Sequence, residues 1–329
     1  MEVVEESLKE EGLIEFVEKL ITRIFAKKYQ LTMKNILLVL SFSIVLISCG
    51  NKTEKDENTV AAPEVDEVSM LIDSLMYFRK NFTQTDILSR YRKGLSRDDA
   101  YGFQKRLLEA ELAAGATIAG YKMGGTVTDD PDNFKPMFGF VLNKNMISND
   151  SAVSISNFPG NSTMVEGEVG FILGKDFPEG ATDLEALKAG IESVVGGVEF
   201  AQPLAVAPEG QEEALAIEYV IATGLGQAGT IRGTTPLPVD GFDFENETVK
   251  CYINDSLAAE GHAGKIYGTP LNALLWLSKE LPKHGQYLKK GQVVITGGLY
   301  TNPVINGPAE VRLEFATLGE IRFAVSSKQ

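Results

Sequence analysis

From about Val68 to Gly120, apolar residues recur every three to four positions, the spacing of a helix that buries one face. Leu71, Ile72, Leu75 and Phe78 make up the first such face, and Gly94 breaks the run. Ser96-Arg97-Asp98-Asp99 then reads as a capping-box start, with Asp99 where Glu is usual. The helix it opens carries Phe103, Leu107, Leu108, Leu112 and Ala113, and Gly115 is placed to stop it.

Beyond Gly120 the period shortens. Phe138–Leu142, Val165–Leu173, Ser193–Phe200, Val249–Ile253 and Val293–Thr296 read as strands between Gly, Pro and Asn turns. Val311, Leu313 and Phe315 alternate with polar residues, as do Ile321, Phe323 and Val325. The turn Leu318-Gly319-Glu320 between them predicts a terminal hairpin. Two helices interrupt the strands. A short one over Asp183–Ala189 opens at Thr182. A longer one follows Thr269-Pro270, a cap with Pro at the first helical position, and carries Leu271, Leu274, Leu275, Trp276 and Leu281, with Gly285 beyond its end. The sequence shows no internal repeat. The pattern predicts one α+β unit over 68–329, a helical N-terminal part on a mostly β C-terminal part.

The front of the chain reads as an address. Residues 33–50 are MKNILLVLSFSIVLISCG: Lys34, then an apolar run from Ile36 to Ile47 that has the length of a signal-peptide core and is short for a membrane span. Leu46-Ile47-Ser48-Cys49 resembles a bacterial lipobox with Cys49 as the lipid-bearing residue. Residues 33–49 are therefore expected to be a lipoprotein signal peptide and 50–67 a flexible polar tether. The expected location is the bacterial cell envelope, lipid-anchored and facing the periplasm. A signal should begin a chain, so synthesis is expected to start at Met33, with 1–32 a start-site extension.

Composition narrows the chemistry. The 329 residues are 44% hydrophobic and 23% charged, enough apolar material for a sizeable core. The net charge of −14, with no basic run among aromatics, argues against a nucleic-acid partner. The two cysteines, Cys49 and Cys251, exclude a disulfide scaffold or a Cys-rich zinc site. His262 and His284 are not at helical ligand spacing and read as surface or satisfied polar residues. A metal site here must be built mostly from carboxylates, which suits Mg²⁺, Mn²⁺ or Ca²⁺.

One strand carries the candidate. Met164–Leu173, MVEGEVGFIL, is apolar except for Glu166 and Glu168, two residues apart and so on one face, with Gly167 on the other. Like charges side by side in an apolar strand repel, unless a cation makes close packing of oxygens favourable.

Several stretches together carry a family resemblance: LSRDDAYGFQKRLLEAELAAGATIAGYKMG (95–124), VEGEVGFILGKDF (165–177), VVGGVEF (194–200), GTPLNALLWLSKEL (268–281) and GQVVITGGLYTNPV (291–304). In this order they resemble the 2-keto-4-pentenoate hydratases and 4-oxalocrotonate decarboxylases of the fumarylacetoacetate hydrolase superfamily. The resemblance implies a mixed β-roll with helices outside it, and Mg²⁺ or Mn²⁺ held by Glu166, Glu168 and Glu199. Glu199 is also the one acid in a strand otherwise small or apolar. The resemblance makes Lys122, in GYKMG, the active-site lysine, able to stabilise developing negative charge, or to move protons if burial and the metal lower its pKa. It puts Thr301 and Gly298, in the glycine-rich loop GGLYTNP, beside the substrate.

The implied activity is that of a hydratase-like lyase acting on a small 2-oxo acid or its enol through a metal-stabilised enolate, and the resemblance also implies self-association as a homo-oligomer. A decarboxylase or carbon–carbon hydrolase of the same superfamily, and a non-catalytic envelope lipoprotein that binds a metal and an oxo-acid, stay open. Where hydratases usually show Pro-Asp-Tyr-Gly, this chain has Pro136-Met137-Phe138-Gly139. Gln202 stands for a frequent Asp, and Thr223-Gly224 for an Asp-Asn pair. Asp129, Asp130 and Asp132 are the nearby acids that could substitute.

Overall fold

A computed structural model of the chain describes residues 66–211 and 215–327. The expected extension, signal peptide and Cys49, and nearly all of the tether, lie outside the described residues. Those described belong to one unit, Glu64–Gln329, and none of their helices is long and apolar enough to cross a membrane.

Helix α1 (Glu67–Lys80) is capped by Asp66, whose carboxylate accepts from Val68 N at 3.3 Å, and it buries Leu71, Ile72 and Leu75. After the short α2 (Ile87–Tyr91), α3 (Arg97–Ala113) starts with the expected capping box. Ser96 Oγ accepts from Asp99 N at 3.1 Å, and Asp99 Oδ2 accepts from Ser96 N at 3.2 Å. Phe103, Leu107 and Leu108 are buried as expected, but Leu112 is 40% exposed. Glu111 faces inward instead, because Arg79 and Lys144 are there to pair with it. Gly115, at φ +95°, ends the helix. The helical pattern does not run on to Gly120, since a strand already starts at Ile118.

The remaining elements are β1 (Ile118–Gly124), β2 (Met137–Leu142), β3 (Met146–Ile147), β4 (Ser151–Ser154), β5 (Thr163–Leu173), α4 (Leu184–Lys188), β6 (Ile191–Ala201), α5 (Ile217–Ala222), β7 (Gln227–Arg232), β8 (Thr248–Ile253), β9 (Ser256–His262), α6 (Pro270–Glu280), β10 (Val293–Ile295), β11 (Val304–Ile305), β12 (Ala309–Phe315) and β13 (Glu320–Ser326). The short helix α4 is capped by Asp183, one residue after the expected Thr182. Asp183 Oδ1 reaches Ala186 N at 2.8 Å, while Thr182 Oγ1 bonds to Asp183 itself. Thr269 caps α6 as expected, with Pro270 at its first position.

The strands form two mixed sheets. One runs β2-β1-β10-β5-β6-β7-β3 with β11 also on β5, and the other runs β4-β13-β12-β8-β9. Within the first, β1 and β10 are parallel while β10, β5, β6 and β7 alternate. The terminal hairpin forms with Val311 opposite Phe323.

Strands β5 and β6, of 11 residues each, are the longest of the larger sheet, and the two faces of β5 differ. On one, Gly167 and the apolar Val165 and Val169 face the second sheet. A Cβ on Gly167 would come within 3.0 Å of Tyr300 and Leu313, so only glycine fits this close approach. Phe200 on β6 meets Phe323 on β13 edge-on at 4.8 Å on the same side. Glu166 and Glu168 point to the opposite face, away from that core.

Candidate active site

Register brings the carboxylates together. In the β5–β6 pair Glu166 lies directly opposite Glu199, so their side chains share a face, with Glu168 the next residue along it. One carboxylate oxygen from each lies within 4.8 Å of the other two. Lys122 joins from β1. It pairs with Ile295, which pairs with Gly170 on the Glu168 face of β5. Its Nζ stands 3.1 Å from Glu199 Oε2, an ion pair with the lysine 6% exposed and the glutamate wholly buried.

The loop after β10 completes the floor. Strand β10 covers β5 from Gly170 onward and β11 covers Thr163 and Met164, so between them β5 is bordered by residues 296–303. That loop is laced down by Thr296 N to Val169 O (3.2 Å), Leu299 N to Gly167 O (3.0 Å) and Val165 N to Pro303 O (3.0 Å). Gly297 N donates to Glu168 Oε2 at 2.5 Å. A Cβ on Gly298 would sit 2.9 Å from Glu166 Oε2 and 3.0 Å from Asn302 Oδ1, so glycine here lets the loop lie against the carboxylates, and Gly298 lines the cavity.

The cluster is unfinished as a set of charges. Glu168 Oε1 and both Glu199 oxygens are buried without a well-directed hydrogen bond, although Lys122 is within ion-pair distance. Burial, then the neighbouring carboxylates, push Glu168 well above the ordinary carboxylate range. Burial raises Glu199 to about 7 against the pull of Lys122, and raises Glu166 as well. Burial alone would depress Lys122, but Glu199, Glu166 and Glu168 more than reverse this and hold it above the usual lysine range. Without a cation, the three acids outweigh desolvation at Lys122. Orphaned buried oxygens of this kind fit a hard divalent cation such as Mg²⁺ or Mn²⁺. The three glutamates would hold it, leaving about three of its roughly six positions for other oxygens.

A cavity of about 490 Å³ opens above this floor. Lys122, Thr126, Glu166, Gly297, Gly298 and Asn302 supply its polar side, and Val127, Met164, Ala201, Pro203, Ile217, Val220 and Leu225 its apolar side. Thr301 is exposed and does not line the cavity; its neighbour Asn302 does, with an unpartnered Oδ1. Asn302 and Thr126 were missed by sequence reasoning, although Asn302 lies within the 291–304 stretch and Thr126 just beyond the 95–124 stretch.

The other acids and histidines stand apart from the cavity. Asp130 is held in its own turn by Asp132 N and Asn133 Nδ2, and none of Asp129, Asp130 and Asp132 lines the cavity. Met137 lies under Gly124 and Gly125. Gln202 faces a neighbouring cavity, and Thr223 Oγ1 donates to Tyr219 O at 3.0 Å inside the fold. His284 stacks near Tyr101 at 4.6 Å and pairs with Glu280 at 3.2 Å, and neither histidine lines the cavity.

Three convergent carboxylates and a lysine, with Glu166 and Lys122 lining a half-apolar cavity, make a group that could hold a divalent cation. The chain is similar to a 2-keto-4-pentenoate hydratase of Paraburkholderia xenovorans strain LB400, 26% identical over 239 residues, 66% of this chain and 83% of that one. It is similar also to a 2-oxo-hept-4-ene-1,7-dioate hydratase of Escherichia coli, 25% identical over 212 residues, 63% of this chain and 78% of that one. Its fold matches 4-oxalocrotonate decarboxylase of Pseudomonas putida G7, complexed with magnesium and adipate, at a TM-score of 0.69 and 18% identity, over 84% of this chain and all of that one. No protein-family profile matches the chain. The resemblance drawn from the sequence stretches holds: the chain resembles the 2-keto-4-pentenoate hydratases and has the α+β fold of the decarboxylase.

Proposed function

We propose that this protein is a divalent-metal-dependent lyase, hydratase-like, acting on a small 2-oxo acid or its enol. The observation that carries the proposal is the convergence of Glu166, Glu168 and Glu199, with oxygens of Glu168 and Glu199 left orphaned, beside a cavity that Glu166 and Lys122 line. When bound there, the cation supplies Lewis-acid stabilisation of the negative charge that develops on the 2-oxo oxygen. Lys122 is the one basic side chain among the described residues that line the cavity, and is placed to donate to negative charge that develops on the substrate. Glu199 holds Lys122 in place through the 3.1 Å contact. The apolar wall excludes water from one side of the substrate.

Met137 favours a second reading. Of the residues lining the cavity, only Lys122 and Glu166 titrate. Hydration adds a proton at one carbon and a hydroxide at its neighbour, and so needs a water-activating base. Decarboxylation needs only the proton. Assay of 2-hydroxypenta-2,4-dienoate for the 4-hydroxy-2-oxo acid, and of oxaloacetate for carbon dioxide, divides the two readings.

Oxalate mimics the planar enolate, so it should raise the melting temperature of the Mg²⁺-loaded protein but not of the metal-free protein. Lys122→Ala should lower kcat by about 10²- to 10⁴-fold in the same preparation. Absence of any Mg²⁺-dependent response to oxalate would overturn the proposal. The envelope address and lipidation of Cys49 belong to the same proposal, supported by the order of Lys34, apolar run, Ser48 and Cys49. Mass spectrometry of the native N-terminus tests them, and an unmodified Cys49 would end them.

A further inference from the structure

The neighbouring cavity that Gln202 faces has a volume of about 670 Å³. Leu225 lines the first cavity, Thr223 and Gln227 line this one, and Gly226 lines both, so the segment after α5 is a shared wall. None of Lys122, Glu166, Glu168 and Glu199 lines the second cavity. Glu111 does, but its charge is answered within the fold. Arg79 donates from Nε to Glu111 and from Nη1 to Thr223 O, and Lys144 Nζ donates to the other Glu111 oxygen. Asp73 and Lys80, the remaining charged lining residues, are exposed and opposite in sign. What the interior leaves unanswered is two amide oxygens. Gln227 is 5% exposed, and its Nε2 donates to Thr230 Oγ1 at 3.3 Å. Asn145 Nδ2 donates to Ala228 O at 3.1 Å. Each nitrogen is engaged, while Gln227 Oε1 and Asn145 Oδ1 are buried without a partner. A buried acceptor without a donor is costly, so the pair calls for donors from outside the chain.

Met76, Tyr77, Phe82, Pro159 and Leu204 supply the apolar lining, and the Tyr77 and Phe82 rings are left 50% and 41% exposed. Exposed rings at the edge of a cavity offer flat apolar faces to another ring. We propose that this cavity is a second small-molecule site, for a neutral ring-bearing alcohol or phenol. Its hydroxyl groups donate to Gln227 Oε1 and Asn145 Oδ1, and its ring lies against the apolar lining. A carboxylate is disfavoured because it brings acceptors to acceptors, while Arg79 and Lys144 are already engaged by Glu111. An ammonium is disfavoured by those same two cations. The site is independent of the metal centre and of the reaction proposed for it.

The probes are resorcinol, resorcinol dimethyl ether and benzoate, each titrated into the full-length protein and read by calorimetry and ligand-observed magnetic resonance. The ether keeps the ring and its oxygens but has no donor. Resorcinol should bind saturably, and at least about tenfold more tightly than the ether or benzoate. Gln227→Leu, which removes one orphaned oxygen at similar volume, should narrow the preference over the ether to within about threefold. Ala114 is exposed and lines the second cavity, so Ala114→Trp should fill it from a surface position and weaken resorcinol by about tenfold or more. Val127→Trp, at the exposed edge of the first cavity, should change resorcinol binding by less than about twofold. Melting curves establish that each variant is folded, and Ala114→Trp carries the test if Gln227→Leu is not. Absence of saturable binding overturns the inference, as does binding of the ether or benzoate as tight as that of resorcinol. So does binding that Ala114→Trp leaves unchanged, or that Val127→Trp abolishes, which would place the probe in the first cavity.

Discussion

Two of the places where the described residues bury glutamates are built on opposite principles. Glu111 on α3 is enclosed by Arg79, whose Nε lies 3.0 Å from Oε1, and by Lys144, whose Nζ lies 2.5 Å from Oε2. Burial alone would raise its pKa, yet Lys144 and Arg79 hold it below the ordinary carboxylate value. Arg79 also donates to Thr223 O and lies over the Phe140 ring, so the network ties α1 to α3, β2 and the end of α5. Beside the cavity, three glutamates share one lysine, oxygens are left orphaned, and the carboxyl pKa values move up. A buried charge that the fold itself neutralises is structural. One left short of positive charge is held ready for something the chain does not contain.

Substitutions should separate the two sites. Glu168→Gln is expected to abolish turnover, by about 10³-fold or more, and to weaken Mg²⁺ binding at least a hundredfold. Its metal-free form should nonetheless melt no lower than the wild type, because a repelling carboxylate has gone. Calorimetric Mg²⁺ titration beside a melting curve checks both halves. Glu111→Gln should do the reverse: a loss of about 3 kcal/mol in unfolding free energy by denaturant titration, since Arg79 is left buried without its counter-charge, with Mg²⁺ affinity unchanged.

The pH dependence of stability has opposite signs at the two sites. Glu199 titrates near 7 in the folded chain against an ordinary value of 4.5, so the folded state binds the extra proton. Its contribution is fully present below about pH 4.5 and is lost as pH rises through about 7. Metal-free protein should therefore lose stability over that window, and saturating Mg²⁺ should flatten the loss. Glu111, depressed when folded, contributes above its ordinary value of 4.5 and loses that contribution as pH falls further. Melting temperatures from pH 4 to 8, with and without Mg²⁺, measure both; a wild-type curve indifferent to Mg²⁺ at pH 8 would contradict the assignment. The smallest effect is expected at Thr301. It is exposed and off the cavity, so Thr301→Ala should change stability by less than about 0.5 kcal/mol and kcat/KM by less than about threefold.

Much of this arrangement was legible in residue order. The Ser96–Asp99 box, the Thr269-Pro270 start and the alternation of Val311, Leu313 and Phe315 are local signals, set by hydrogen bonds and periods that span a few residues. Glu166 and Glu168 sharing a face follows from the strand period alone. The strands β7 and β9 were not legible, because Gln227–Arg232 and Ser256–His262 carry little apolar alternation and are ordered by their partners. Leu112 was misplaced because the helix period predicts which positions are eligible for burial, not whether Arg79 and Lys144 will make Glu111 the better occupant.

By itself, the chain's order of residues determined the helical start, the C-terminal hairpin and the pairing of two acids on one strand face, since each depends on contacts between near neighbours. The register that sets Glu199 opposite Glu166, the arrival of Lys122 over the end of β10, the choice of Asn302 over Thr301 and the apolar wall above the carboxylates were decided only by the tertiary structure. These depend on strands and loops far apart in the chain being brought together, and on how completely water is then excluded from charges that no local pattern could show would be buried.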